Sequence, residues 1–398
     1  MKILVITEYF RASCSNGAEV FAKELIAALK KKHAIHVLAH ATENDLPGLD
    51  IPIPADVYSS IDKLREFLYE RVVPGNYDLV YNLGGLLFGC FIVRYLEPLF
   101  SSVPLVNHFQ VLFAPLAEKE NMTNAKQDLI SKPQLHAASL AALNIFVSAN
   151  ELRSAMQYGF PLNRSSIAII HNGISTGEQT DQGPAFDIPL IDGKRPLVFM
   201  AAGRFSEHSK GADILFRAFK RLWHDRNDIY LITAGPSEKY RFILNEVPEQ
   251  NYRLLPWLPR EELLNLLHYA DIALVPSRYE PFGLIAVEAM SCGLPVIAND
   301  TGGLSEIIHH KRTGLLNPAR NGWLGFYKCM KELAGHEQER RAMGIESKKT
   351  VFEKFTIDHV AMAVDHHLCR AVLSHRTLEP GNQFHHALEN DHEAAVAE

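Results

Sequence analysis

The sequence predicts an α/β protein of two Rossmann-like domains, each built on a doubly wound parallel sheet, that face each other across a cleft. Three observations lead to this prediction. The chain has 398 residues, which exceeds the usual size of a single domain. Short apolar strands alternate with segments of helix length in both halves of the chain. Residues 175–193, between the halves, are rich in Gly, Pro, Asp, Ser and Thr, as is typical of an interdomain linker.

The first domain is expected to span residues 1–174. An apolar stripe at helical spacing runs from Ala18 to Leu29, directly after the first predicted strand. The predicted strands are residues 3–6, 35–38, 79–81, 103–106, 144–147 and 167–170. Because these strands are short, apolar and separated by helix-length segments, a parallel sheet with helices on both faces is favoured.

The second domain is expected to span residues 194–359. Its predicted strands are residues 197–201, 229–234, 252–255, 272–275 and 296–298. In two consecutive sheets of this kind, the ligand sites lie beyond the carboxyl ends of the strands. A further amphipathic helix is predicted near residues 360–374, and residues 377–398 are predicted to be a loosely ordered tail.

Composition and charge narrow the class of protein. With 47% hydrophobic and 22% charged residues, the chain resembles an ordinary globular protein with a sizeable core. The formal charge of −6 argues against a protein that binds nucleic acid through a basic surface. The five Cys are scattered and form no Cys-x-x-Cys pair, which is typical of reduced thiols in the cytoplasm.

We expect neither a membrane-spanning segment nor a signal peptide. One Lys and a short apolar strand begin the chain, and the longest apolar stretch, residues 83–93, is too short to span a bilayer. We therefore expect a cytoplasmic protein. Peripheral contact with the inner face of the membrane is the alternative to a fully soluble state.

Residues 276–306, PSRYEPFGLIAVEAMSCGLPVIANDTGGLSE, carry the strongest indication of function. The pattern predicts a polar loop after a buried strand, a short helix over residues 284–290, a second strand and a Gly-Gly turn. Glu280 lies in the loop, and Glu288 lies one turn inside the helix. Two carboxylates therefore flank the start of the helix.

The start of this helix is expected to bind an anion. The free backbone amides near Phe282, Gly283 and Leu284 have no partners within the helix and would attract negative charge. A nucleotide sugar has hydroxyls at both ends and phosphate in the middle, so it fits a helix start flanked by two carboxylates.

The segment resembles the signature of the retaining glycosyltransferases of family 4, which have the two-domain GT-B fold. Seven residues separate Glu280 from Glu288, and the sequence Pro-Phe-Gly follows the first Glu. The resemblance implies that Glu280 contacts hydroxyls of the transferred sugar and that Glu288 accepts hydrogen bonds from the ribose. It also implies that the helix near residues 360–374 crosses back to the first domain.

A pair of cations follows the first strand of the second domain. Arg204 comes directly after Gly203, and Lys210, which Gly211 follows, lies six residues later. This spacing resembles the diphosphate clamp of the family, in which a planar guanidinium and a point charge stabilise the negative charge that builds on the leaving phosphate. The chain contains no Asp-x-Asp, the usual sign of a metal-bridged diphosphate. We therefore expect transfer without a metal or any other cofactor.

Further contacts follow from the resemblance. Residues 15–18 match the position of the family's Gly-Gly loop, with Ala18 in place of the second Gly, so Gly17 is expected to let a backbone amide approach the phosphate. His108, expected just after a strand, would hydrogen-bond the 6-hydroxyl of the sugar or orient the acceptor. Trp257 would contact the edge of the base, and the turn that contains Gly302 would help to hold sugar and phosphate.

The resemblance implies transfer of a sugar from a nucleoside diphosphate to a hydroxyl acceptor with the α configuration kept. UDP is the expected nucleotide because it is frequent in the family. The acceptor is expected to be a small molecule, a saccharide or a lipid-linked saccharide, contacted by residues 109–132. Two alternatives stay open: a non-catalytic nucleotide-sugar-binding subunit, and a nucleotide-sugar epimerase of the same fold.

Overall fold

The computed structural model describes residues 1–10, 17–42, 45, 47–57, 60–73, 75–84, 87–163, 166–176 and 186–378. The strands form two parallel sheets, one of seven strands and one of six, with helices on both faces of each. The predicted fold class is confirmed. Residues 15 and 16 of the expected phosphate loop, residues 177–185 of the expected linker and residues 379–398 of the expected tail lie outside the described residues.

The first sheet has the strand order β3-β2-β1-β4-β5-β6-β7. Its strands are β1 (Lys2–Tyr9), β2 (Ala34–His40), β3 (Ile51–Ile53), β4 (Leu79–Gly84), β5 (Leu105–Phe109), β6 (Leu143–Phe146) and β7 (Ile167–Ile169). The helices of this half are α1 (Gly17–Leu29), α2 (Ile61–Arg71), α3 (Leu87–Leu96), α4 (Phe113–Lys119), α5 (Asn124–Leu140) and α6 (Ala149–Gln157).

The second sheet has the strand order β10-β9-β8-β11-β12-β13. Its strands are β8 (Leu197–Ala202), β9 (Ile229–Ala234), β10 (Tyr252–Leu255), β11 (Ile272–Val275), β12 (Val296–Asp300) and β13 (Gly314–Pro318). Its helices are α7 (Ala212–Asp225), α8 (Arg260–Tyr269), α9 (Leu284–Ser291), α10 (Leu304–Ile307), α11 (Gly322–Gly335) and α12 (Glu337–Lys354), and helix α13 (Ile357–Leu378) ends the described chain.

The central strands are buried on both faces, which explains why they are apolar almost throughout. All six residues of β4 and all six of β9 are buried. The predicted helical stripe places Phe21, Leu25 and Leu29 of α1 in the core of the first domain, each no more than 2% exposed. Strands β3 and β13, at the sheet edges, are short and were not predicted.

Helix α13 packs against the first domain although it follows the second domain in sequence. Val364 and Leu368 are fully buried in the same apolar core as α1. At the helix surface, a carboxylate oxygen of Asp365 lies 2.7 Å from Nε2 of His33, and Arg376 pairs with Asp78 at 2.8 Å. Burial of the apolar side chains is the main contribution to the packing of α13, and the Arg376–Asp78 pair, whose side chains are 63% and 32% exposed, contributes little.

Each sheet has one point at which the strand order reverses. In the second sheet, the chain runs from β8 outward to β10 and then returns to place β11 on the other side of β8. The loops that follow β8 and β11 therefore diverge and leave a crevice at the carboxyl ends of the two strands. The first sheet has the same crevice between β1 and β4.

Candidate active site

The crevice between β8 and β11 brings together a cation and a carboxylate. The Nζ atom of Lys210, in the loop after β8, lies 2.8 Å from Oε2 of Glu280, in the loop after β11. Their side chains are 17% and 13% exposed, so the ion pair is largely shielded from solvent. Gly211 permits this approach, because a Cβ atom there would lie 2.1 Å from the carbonyl oxygen of Pro276. Its φ of +68° also favours glycine.

The backbone at Glu280 is held by the Gly-Gly turn after β12. The amide of Gly303 donates a 2.9 Å hydrogen bond to the carbonyl of Glu280. A Cβ atom on Gly302, whose φ is +54°, would lie 1.9 Å from that same carbonyl oxygen. The side chain of Glu280 accepts a second hydrogen bond, 3.1 Å long, from Oγ of Ser277. Glu280 is therefore fixed through both its backbone and its carboxylate.

The amino-terminal ends of two helices meet across the cleft. Helix α9 begins at Leu284 after Gly283, whose φ of +113° places it in the left-handed region. Helix α1 of the first domain begins at Gly17, where a Cβ atom would lie 3.0 Å from Cδ1 of Leu284. The first amides of a helix have no partners within the helix, and each helix start carries the positive end of a helix dipole. An anion between them would be attracted from both domains.

Glu288 lies inside α9 and is 8% exposed. Burial raises the pKa of this carboxyl to about 7; the guanidinium of Arg260 acts in the opposite direction, and the carboxylate of Glu24 adds to the rise. Glu288 is thus one of the few acidic groups whose charge can change near neutral pH.

The other expected nucleotide contacts lie at strand ends of the second domain. Arg204 lies two residues beyond the end of β8, is 51% exposed and forms a 3.2 Å ion pair with Glu207 of its own loop. Trp257 follows β10 and is 44% exposed. Phe282 has its ring in the core, 3% exposed and 6.0 Å from the ring of Phe355, so it can offer a ligand only its backbone.

His108 lies inside the first domain and not on a surface that a sugar could reach. Strand β5 extends to Phe109, three residues beyond the point at which the apolar pattern predicts its end, so His108 lies within the strand. Its side chain is fully buried, and Nδ1 lies 2.7 Å from the hydroxyl of Tyr81. Burial lowers the pKa of His108 to about 3, so the imidazole is neutral. In this structure the imidazole occupies a core position, and its Nε2 is buried without a partner among the described residues.

Gln110 is the first residue after the carboxyl end of β5, and its side chain is polar. Its Oε1 accepts a 2.6 Å hydrogen bond from the side chain of Asn172. Its Nε2 is buried and has no partner among the residues that the structure describes. Gln110 lies within residues 109–132, the segment expected to contact the acceptor, but no local pattern singles it out there.

Two carboxylates join the domains around the start of α6. Glu306 of α10 accepts hydrogen bonds from the amides of Ala149 and Asn150, at 3.0 and 2.9 Å, and from Nε2 of His171 at 3.0 Å. Although burial acts to raise it, these hydrogen bonds lower the pKa of Glu306. From the other side, Oε1 of Glu151 accepts a 2.8 Å hydrogen bond from the hydroxyl of Tyr279.

Glu151 is the most buried of these interdomain acids, at 1% exposure. Burial raises its pKa to about 7; hydrogen bonds from Tyr279 and the amide of Leu112 oppose that rise, and the charge of Glu280 adds to it. Tyr279 directly precedes Glu280 in the chain. The Glu151–Tyr279 hydrogen bond therefore connects the first domain to the loop that carries Glu280, the partner of Lys210.

The segment expected to contact the acceptor touches the turn that ends in Lys210. Glu120 accepts hydrogen bonds from the backbone amides of His208 at 3.1 Å and Ser209 at 2.7 Å. Burial acts to raise the pKa of Glu120, but the hydrogen bonds from Ser209 and His208 lower it. No local pattern could indicate these interdomain contacts, because each joins residues far apart in the chain.

Within the described ranges, no group of three or more His, Cys, Asp or Glu side chains is placed to hold a metal ion. Of the helices described, none is both long and apolar enough to cross a membrane.

The sequence pattern of the family described as glycosyl transferases group 1 matches residues 183–350. Among curated proteins, a D-inositol 3-phosphate glycosyltransferase of Jonesia denitrificans is 33% identical over 177 residues, which cover 41% of this chain and 41% of that protein. The matches to the first curated relatives span about half or less of those proteins' lengths, from 30% to 53%.

Solved structures share the fold over nearly the whole chain. Sucrose-phosphate synthase from Thermosynechococcus elongatus superposes with a TM-score of 0.74 at 18% identity, covering 94% of this chain and 99% of that one. HepE of Anabaena in complex with UDP-glucose gives 0.69 at 19% identity, with 93% and 100% covered. The chain thus has the GT-B fold, and residues 183–350 are similar to the glycosyl transferases group 1 family.

Proposed function

We propose that the protein transfers a sugar from a nucleoside-diphosphate sugar to a hydroxyl acceptor and keeps the configuration of the sugar. The observation that carries this proposal is the Lys210–Glu280 pair at the crevice between β8 and β11. A cation for the leaving phosphate and a carboxylate for the sugar hydroxyls stand next to each other, as the transfer requires.

Each group has a defined task in this reaction. Lys210 and Arg204 stabilise the negative charge that develops on the β-phosphate as the glycosidic bond breaks. Both hydrogen bonds to the Glu280 carboxylate fall on Oε2, so Oε1 is the oxygen with which Glu280 accepts a sugar hydroxyl. The opposed starts of α1 and α9 hold the diphosphate, and Glu288 accepts the ribose hydroxyls.

The proposal includes retention through departure and attack on the same face of the sugar. The leaving phosphate takes the proton of the acceptor hydroxyl, and closure of the two domains excludes water. The spacing of Glu280 and Glu288 supports placement in family 4, and the Arg204–Lys210 clamp supports catalysis without a metal. The cysteine pattern supports a cytoplasmic location.

The proposed donor is a UDP-sugar, and the same-fold HepE complex with UDP-glucose supports this choice. Residues 109–132 are the proposed acceptor contact, because Glu120 in this segment touches the turn that contains Lys210. The acceptor classes are small molecules, saccharides and lipid-linked saccharides.

The test is release of nucleoside diphosphate from a set of UDP-, GDP- and ADP-sugars mixed with these acceptor classes. We expect acceptor-dependent release with one nucleotide, loss of turnover in Glu280→Ala, and a product whose anomeric coupling by proton NMR shows the α configuration. An inverted product would overturn the retaining mechanism. Nucleotide-sugar binding without release for every acceptor would favour the non-catalytic subunit.

A further inference from the structure

Three charged side chains meet where the two domains and the linker join. Glu24 lies on α1 of the first domain, Arg260 is the first residue of α8, and Glu288 lies in α9. Their side chains are 16%, 27% and 11% exposed, so all three are largely removed from water. The cluster is separate from the Lys210–Glu280 pair, and the proposed chemistry gives Arg260 and Glu24 no task.

The guanidinium of Arg260 uses different nitrogens for the two carboxylates. One terminal nitrogen lies 2.6 Å from Oε1 of Glu24, and the other lies 3.4 Å from Oε1 of Glu288. The second oxygen of Glu24 accepts a 2.8 Å hydrogen bond from the backbone amide of Ser175, at the start of the linker. Because a guanidinium is planar, a short bond to Glu24 on one nitrogen fixes the direction of the other nitrogen toward Glu288.

We propose that Arg260 is a positioning residue for Glu288, and that Glu24 of the first domain completes this arrangement. The inference rests on the proposed function, in which Glu288 accepts the ribose hydroxyls. An ionised carboxylate accepts hydrogen bonds from two neighbouring hydroxyls, whereas a protonated one loses an acceptor site. Arg260 favours the ionised form and orients it. Because Glu24 belongs to α1, the ribose site is complete only when the first domain lies against the second.

The charges around Glu288 act in opposite directions. Burial raises its pKa to about 7, Arg260 acts to lower it, and Glu24 acts to raise it further. On its own helix, Glu288 faces Cys292, whose pKa is raised to about 12 by burial and further by the charge of Glu288. Lys348 of α12 acts on Cys292 in the opposite sense. Loss of Arg260 and loss of Glu24 should therefore shift the titration of Glu288 in opposite directions.

The experiment is calorimetric titration of the full-length protein with UDP from pH 5.5 to 8.5. In the wild type, we expect the affinity to fall as the pH drops through about 7, because Glu288 becomes protonated. The midpoint of this pH dependence of UDP affinity should move up by about one pH unit in Arg260→Met, and it should move down in Glu24→Gln. Arg260→Lys keeps the charge, so its midpoint should lie nearer to that of the wild type than the midpoint of Arg260→Met does.

Two controls separate the ribose contact from other effects of pH. The phosphate of UDP titrates near pH 6 itself, but it does so identically for every variant, so only differences between proteins count. We expect 2′,3′-dideoxy-UDP, which lacks both ribose hydroxyls, to show no difference between the variants. Arg320→Met, an exposed arginine of the same domain, should behave as the wild type does.

The inference would be overturned if the midpoints of Arg260→Met and Glu24→Gln moved in the same direction or did not move. In that case, binding of UDP would still support the proposed function. No UDP binding by the wild type at any pH would overturn the proposed UDP donor together with the inference. If Arg260→Met does not fold, Glu24→Gln still tests the inference. Its midpoint should move down with UDP and should not move with dideoxy-UDP, and any other result would overturn the inference.

Discussion

The ammonium nitrogen of Lys210 lies 2.8 Å from a carboxylate oxygen of Glu280, although 70 positions separate the two residues in the chain. The sheet explains this proximity, because the loops that carry them follow β8 and β11, which are neighbours at the point where the strand order reverses. The pair is a switch-point site built from one cation and one anion.

Replacing Lys210 with Met should lower kcat by about 100- to 1000-fold, because it removes the cation that stabilises the leaving phosphate. Steady-state release of nucleoside diphosphate measures this effect. The control is Lys328→Met, an exposed lysine of α11 in the same domain, which should keep wild-type turnover. A folded Lys210→Met variant with near-normal kcat would remove Lys210 from the site.

Replacing Gly302 with Ala should lower turnover by about 100-fold, because the new Cβ would displace the carbonyl of Glu280 and misplace its carboxylate. The matched control is Gly322→Ala. Gly322 has the same φ of +54°, but no atom lies within 4 Å of its Cβ position. That variant should lose about 1–3 kcal/mol of stability, because a φ of +54° with a ψ of −149° is a backbone conformation that almost only glycine adopts, and it should keep its turnover. Equal turnover in the two variants would contradict the proposed role of the turn.

Replacing His108 with Ala should destabilise the protein without abolishing transfer. The imidazole is fully buried beside Tyr81 and Phe21, so its removal leaves a cavity and an unpaired hydroxyl. We expect a loss of about 2 kcal/mol or more in urea denaturation, and a kcat within about twofold of the wild type below the melting transition. A 100-fold drop in kcat at unchanged stability would show that His108 acts on the substrate after all.

The contribution of Glu151 to the stability of the protein should fall as the pH rises through about 7. Burial raises the folded-state pKa of Glu151 from 4.5 to about 7, so the folded form favours the neutral acid. The resulting stabilisation is complete below the unfolded-state pKa and is lost as the carboxyl ionises. Glu288 has a pKa raised in the same direction.

Glu151→Gln stays neutral at every pH and keeps an oxygen to accept from Tyr279 and Leu112. The free energy of unfolding should be measured at pH 6 and at pH 8.5. Its change from the lower to the higher pH should be about 1–3 kcal/mol more positive for this variant than for the wild type. Glu288 should leave a residual slope. Identical slopes in both proteins would mean that Glu151 does not titrate in this range.

The fold and the main site were predictable because they rest on local patterns. Alternation of strands and helices predicts the two sheets, and strands predicted at residues 197–201 and 272–275 already place Lys210 and Glu280 at strand ends. The prediction that β5 ends at residue 106, before His108, was wrong for a physical reason. Asn107 and His108 look like the end of an apolar strand, but Asn107 is buried and hydrogen-bonded to Asn82 at 2.9 Å and Asn144 at 3.2 Å. Partners on neighbouring strands satisfy polar groups that sequence alone would place in a loop.

The contacts between the domains could not be predicted at all. A carboxylate in the first turn of a helix is expected to support its own helix, yet Glu306 binds the first amides of α6, more than 150 positions away. Likewise, Glu24 and Arg260 carry no local signal in the sequence, and only the fold places Arg260 between Glu24 and Glu288. Only the assembled domains produce these pairs.

The most direct test of nucleotide-sugar transfer in this cleft is a calorimetric screen of UDP-, GDP- and ADP-sugars with the wild type, Arg204→Ala and the surface control Arg320→Ala. We predict that one nucleotide class, UDP, binds the wild type and the control equally and binds Arg204→Ala at least about tenfold more weakly, because a charged hydrogen bond to the diphosphate is lost. Failure of every nucleotide sugar to bind the wild type, or equal binding by Arg204→Ala, would contradict the diphosphate clamp.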